Sequence, residues 1–172
     1  MDQPRPHDRS IFRSHIGGAL LNKARGSYLS LWEKNLTQRK VRDATRLLRD
    51  ISKEVAIERE VTQILRENFS FRFIEIADQV QRMGTQGLER ALIGTLASCP
   101  QCGPSDRWLG RYSSKLQIRE TGLWLIHHVK AAPLSPAQMA SIAATIEIAL
   151  ARQRAQRPVT GTAGAPAADG QN

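Results

Sequence analysis

Apolar residues recur at steps of three and four along much of the chain, the spacing that places them on one face of a helix. Over residues 10–24 the set is Ile11, Phe12, Ile16, Ala19, Leu20 and Ala24. Gly17 and Gly18 interrupt it and weaken a helix unless another group comes close there. A turn is expected at Arg25-Gly26-Ser27, followed by an apolar cluster of Tyr28, Leu29, Leu31 and Trp32. A long helix is then predicted over 36–66, capped by Asn35 or Thr37, with a break near 53–56. Its stripe is Val41, Ala44, Leu47, Leu48, Ile51 and Val55, then Ile57, Val61, Ile64 and Leu65. Residues 85–96 repeat the pattern through Leu88, Ala91, Leu92 and Leu96, and Ser135-Pro136 opens a last helix with Met139, Ile142, Ile146, Ala149 and Leu150.

Two stretches alternate instead. Over 69–76, Phe69, Phe71 and Phe73 take every second position, and 122–129 reads as a second strand. Two strands alone make a marginal sheet. The predicted fold class is therefore α+β, a small antiparallel sheet packed by helices and short of partners, completed by a homo-oligomer or a partner chain. Residues 1–9 read as a disordered leader, 10–157 as one domain, and 158–172, rich in Ala, Gly, Thr and Pro, as a disordered tail.

Charge changes this picture. The chain has 172 residues, with 25 Lys and Arg against 16 Asp and Glu, for a net charge of +9. That balance suggests a polyanionic partner, of which nucleic acid is the usual one. The basic positions Arg39, Lys40, Arg42, Arg46, Arg49 and Lys53 are interleaved with Asp43, Asp50 and Glu54, so that face of the long helix reads as solvated. No run of apolar residues is long enough to span a membrane. Two cysteines are too few for a secreted disulfide scaffold, which points to the cytoplasm.

Candidate chemistry gathers at few places. Glu89 stands at the margin of the 85–96 stripe, where neighbours could hold a metal-binding or acid–base carboxylate rigidly, or where it is simply a surface charge. The turn-rich stretch 98–115 is long for an idle loop. It carries Trp108 between Arg107 and Arg111, with Lys115 beyond, residues suited to binding nucleic acid. Trp108 and Trp124 could stack on bases or pack in a core. Cys99-Pro-Gln-Cys102 supplies two thiols, but zinc needs four ligands. His127 and His128 would point to opposite faces of a strand, so zinc is not expected.

The order of a Phe71-Arg72-Phe73 strand, a short connection, a Leu88-Glu89-Arg90-Ala91-Leu92-Ile93 helix and a loop resembles the latter half of the GIY-YIG nuclease fold. Phe12-Arg13-Ser14-His15 is similar to the family's upstream helix. The resemblance covers residues 9–130. It implies metal-dependent endonuclease action on DNA phosphodiesters, with Glu89 holding Mg²⁺, Arg13 contacting phosphate and His15 helping to activate water. The tyrosine-bearing hairpin that gives the family its name has no counterpart here: Tyr28 and Tyr112 lie outside such motifs. The resemblance is thus to a family member shortened at its start, or to an inactive one. Two other classes stand beside it: a non-catalytic nucleic-acid-binding domain, and a helical interaction module whose 36–66 helix pairs with another chain.

Overall fold

A computed structural model of the protein describes residues 7–71, 73, 75, 76, 78–84 and 87–156. The expected tail at 158–172 and part of the expected leader, residues 1–6, lie outside them. The chain divides into two compact units, 1–135 and 136–172.

The first unit is built on helix α1 (Ile11–Lys23). Ser10 caps it, its side chain accepting the Arg13 N–H at 3.4 Å. A short 3-10 turn, His7–Arg9, precedes it and packs on it. Helix α2 (Leu29–Trp32) folds back after a turn in which Arg25 takes φ 52°. The buried core joins Ile16 and Leu21 of α1 to Tyr28, Trp32, Ile57 and Val61. Trp32 is almost wholly enclosed. Its indole N–H donates to the Ser14 carbonyl at 3.0 Å, and the His7 ring stacks on it at 3.5 Å. The indole lies where a side chain on Gly17 would be: a Cβ there would sit 2.2 Å from Trp32 Cζ2. The glycine that weakens α1 is what lets this tryptophan dock.

The single helix predicted over 36–66 is two, α3 (Arg39–Thr45) and α4 (Ile51–Asn68). The break falls at 46–50, earlier than predicted. Asp50 makes it: its carboxylate accepts the Lys53 N–H at 3.0 Å, while its own N–H donates to the Tyr28 hydroxyl at 3.0 Å. The upper half of the predicted stripe is left in water, with Leu47 96% exposed. The face of α4 that packs on α1 carries Glu54, Ile57, Glu58 and Val61, two carboxylates and two apolar residues at helical spacing.

The α+β expectation is corrected here: no strand occurs among the described residues. Alternation alone does not make a sheet, because the N–H and C=O groups of a strand need a neighbouring strand to take them. Phe69 instead closes α4, its N–H donating to the Leu65 carbonyl at 3.3 Å, and its ring packs edge-on against Phe12. Phe71 and Phe73 are 82% and 83% exposed; residue 72 between them and residue 74 after them lie outside the described residues. The second expected strand is replaced by the end of helix α7 (Leu116–Thr121), closed by Gly122 at φ 71°, and by an irregular segment in which His128 takes φ 60°. Trp124 turns from that segment onto the core.

Helices α5 (Gln79–Met83) and α6 (Leu88–Ser98) pack on each other. The Thr95 hydroxyl anchors α6 to the chain that follows by accepting the Leu134 N–H at 2.8 Å. A 3-10 turn, Leu109–Tyr112, lies against α1 and α7. The second unit contains α8 (Pro136–Gln156), which begins at the expected proline. No helix of the described residues is long and apolar enough to cross a membrane.

Candidate functional site

The first turns of α1 and the 3-10 turn before it form one wall of a hollow of about 470 Å³. His15 and Lys115, a hundred residues apart and singled out for different reasons, both line it, as do His7, Arg9, Glu33 and Lys34. Three cations, Arg9, Lys34 and Lys115, thus share the hollow with one carboxylate, Glu33. That carboxylate is braced by the Lys115 ammonium at 3.5 Å and by the Ser114 hydroxyl. The Nε2 atoms of His7 and His15 are both buried without a hydrogen-bond partner among the described residues. Native structures rarely leave such atoms unmet, and two in one hollow call for a ligand or water. Burial, then the Lys115 charge, holds the His15 imidazole below its ordinary pKa of 6.5; Glu33 pulls the other way and His127 adds to the lowering. The imidazole is therefore neutral near pH 7.

Behind the hollow lies a second layer of charge. His7 turns Nδ1 to Glu58 Oε1 at 3.0 Å, and a carboxylate acceptor there assigns the proton to Nδ1. Glu58 also receives Arg13, from Nε at 2.9 Å and Nη2 at 2.5 Å, and Nη2 reaches the Glu58 carbonyl and the Thr62 hydroxyl at 2.9 Å each. Arg13 is thus gripped by α4. A parallel set holds Glu54, which takes the Arg49 guanidinium and the Tyr28 hydroxyl, the latter at 2.7 Å. Burial by itself would raise the Glu54 carboxyl; the Arg49 and Tyr28 hydrogen bonds more than offset this and leave it lowered. Burial and the bond to Glu54 push Tyr28 up to about 12.

The other expected site residues are dispersed. Glu89 is exposed on the first turn of α6, a helix that does not pack extensively on α1. Arg107 and Arg111 are exposed, Arg111 lying 3.8 Å from Asp106. Trp108 is half-buried beside Trp124, ring centres 5.3 Å apart. Among the described residues no group of three or more His, Cys, Asp or Glu is placed to hold a metal ion. Cys99 and Cys102 are unbridged, and a hydrogen bond from the Cys102 thiol lowers the pKa of Cys99. Sequence reasoning missed His7, Glu58 and Glu33. His7 sits in a proline-bearing leader and the two glutamates in charged runs, so only their distant partners give them meaning.

No curated protein and no solved structure matches the chain. A family model described as the GIY-YIG domain matches residues 4–151, a span that includes Arg13, His15, Glu89 and the whole of the hollow. The resemblance drawn from Phe12-Arg13-Ser14-His15 and the Glu89 helix is borne out at that level, and the chain belongs to the GIY-YIG nuclease family.

Proposed function

We propose that this chain acts on DNA phosphodiesters, with a backbone phosphate seated in the hollow lined by His15 and Lys115. The observation that carries the reading is the convergence of Arg9, Lys34 and Lys115 with two unmet imidazole nitrogens around one cavity. Lysine and arginine supply phosphate affinity. Neutral His15 presents a lone pair that accepts a proton from an attacking water. Arg13 is held by Glu58 and does not line the hollow; Nη1, which makes no hydrogen bond among the described residues, is the one donor nitrogen left to it for a phosphate oxygen. Glu89 makes no ion pair among the described residues. Mg²⁺ commonly takes one or two carboxylates and fills its shell with water and phosphate oxygens, so a lone exposed glutamate fits it. Glu89 does not line the hollow, so an ion held by Glu89 would neutralise charge on a phosphate beside α6 rather than on the one seated by His15 and Lys115.

The second reading is a family member that binds DNA without cutting it. It is favoured by the commitment of Arg13 to Glu58 and of the Tyr28 hydroxyl to Glu54, which leaves the latter unavailable for activating water.

Binding and cleavage assays separate the two. Fluorescence anisotropy with a labelled duplex should show affinity falling steeply between about 50 and 200 mM salt, and Lys115→Ala should reduce the salt slope by about one. Salt-insensitive or absent binding rejects both readings. Mg²⁺-dependent nicking that disappears in Glu89→Ala, with binding intact, supports the nuclease; undiminished nicking by that variant removes Glu89 from the chemistry. Binding without any nicking by the wild type selects the second reading.

A further inference from the structure

A second hollow, of about 830 Å³, lies between α1, α4 and the loop that carries Trp108. Its wall is aromatic. Trp108, Trp124 and Phe69 line it, and the two indoles meet at a tilt of 58°. Trp108 is fixed from one side by Gly110, where a Cβ would come within 2.2 Å of the indole. Trp32 is sealed in the core, whereas these two tryptophans are only half-buried and line the cavity. Two exposed cations, Lys23 and Arg107, stand at the same hollow, together with the Glu60 carboxylate and the Asn68 amide. The Asn68 amide nitrogen donates to the Ile64 carbonyl at 3.1 Å, which leaves its oxygen as an acceptor.

Flat apolar faces beside positive charge suit a ligand that is a planar heterocycle at one end and an anion at the other. A nucleotide in a single strand has that form: every base offers a π-face to an indole, and its phosphate offers charge. A base within a duplex does not, because both its faces are already stacked. Carboxylate and amide acceptors match the exocyclic amino groups of a base edge.

We propose that this hollow takes an unpaired nucleobase of DNA, stacked on Trp108 with Trp124 against its edge, and with its phosphate held by Lys23 and Arg107. The inference rests on the reading that the chain binds DNA and adds that it prefers single-stranded or locally opened DNA. The two hollows share α1, and His15 and Lys23 are separated by about 12 Å along its axis.

The test compares a short single-stranded oligonucleotide with a duplex of the same length, using the full chain. Wild type should bind the single strand more tightly, and tryptophan fluorescence should be quenched as it binds. Trp108→Leu, which keeps apolar bulk but has no π-face, should weaken single-strand binding about five- to 150-fold, leave duplex binding unchanged and lose part of the quenching. Trp108→Phe should restore most of the affinity. If Trp108→Leu does not fold, Lys23→Gln with Arg107→Gln, both at exposed positions, should lower single-strand affinity and reduce its salt slope by about two. Single-strand affinity unaltered in these variants overturns the inference while duplex binding leaves the broader DNA reading intact. Failure to bind either DNA overturns both.

Discussion

Removing the Glu58 carboxylate should destabilise this fold, because it leaves a largely buried guanidinium without its counter-charge. The side chain is 5% exposed and meets two groups: the His7 imidazole and Arg13, whose side chain is 12% exposed and also reaches the Thr62 hydroxyl. Breaking a buried ion pair by deleting one partner costs about 3–5 kcal/mol, because the other charge stays buried without compensation. In Glu58→Ala, Arg13 keeps two acceptors, the Glu58 carbonyl and Thr62. That places the expected loss near the lower end, about 3 kcal/mol. For a chain of this length, 3 kcal/mol lowers Tm by about 6–12 °C. Urea unfolding, followed by far-ultraviolet circular dichroism and by tryptophan fluorescence, measures the loss as a lower midpoint at unchanged slope. Arg13→Met with Glu58→Met, which removes both charges at similar volume, should recover much of it, and the cycle should give a coupling of about 2–3 kcal/mol. A Glu58→Ala protein within about 0.5 kcal/mol of wild type would refute the reasoning. The same cycle bears on Arg13: a purely structural role predicts that Arg13→Met loses stability before it loses DNA affinity, and a phosphate ligand predicts both losses together.

The remaining predictions concern packing and pH. Gly17→Ala places a methyl group where the Trp32 indole lies, and overpacking of this kind should destabilise the protein by about 1–3 kcal/mol in the same unfolding assay; a neutral effect would mean the indole can move. His15 has a folded pKa below its unfolded value of 6.5. Between those two values the unfolded chain binds more protons, so stability is full above pH 6.5 and is lost as pH falls from 6.5 through the folded pKa. Unfolding midpoints measured from pH 8 down to pH 5 should show that decline, and His15→Gln should flatten it; an equal decline in the variant would assign it to another group.

Much of the helical outline is legible in the sequence, because a cap and a periodic stripe are local facts. Ser10, Ser135-Pro136 and the Leu88 to Leu96 stripe each mark a helix found within a few residues of its expected place. The sheet was not legible for the opposite reason. Alternation at Phe69, Phe71 and Phe73 states which face a strand would bury, but pairing depends on a second segment elsewhere, and none of the described chain supplies it. Charge pattern misled in the same way. Glu54 and Glu58 sit among basic residues and look like the solvated side of a helix, yet they occupy the stripe that faces α1. A buried glutamate is tolerable only with a cation aimed at it, and the cations come from Arg49, five residues away, and Arg13, forty-five away. A hydrophobic reading of α4 therefore assigns the wrong face to both. The site follows the same logic: His15 and Lys115 could each be named from local context, but the property that makes them a site is the hollow they share, which only the folded chain contains.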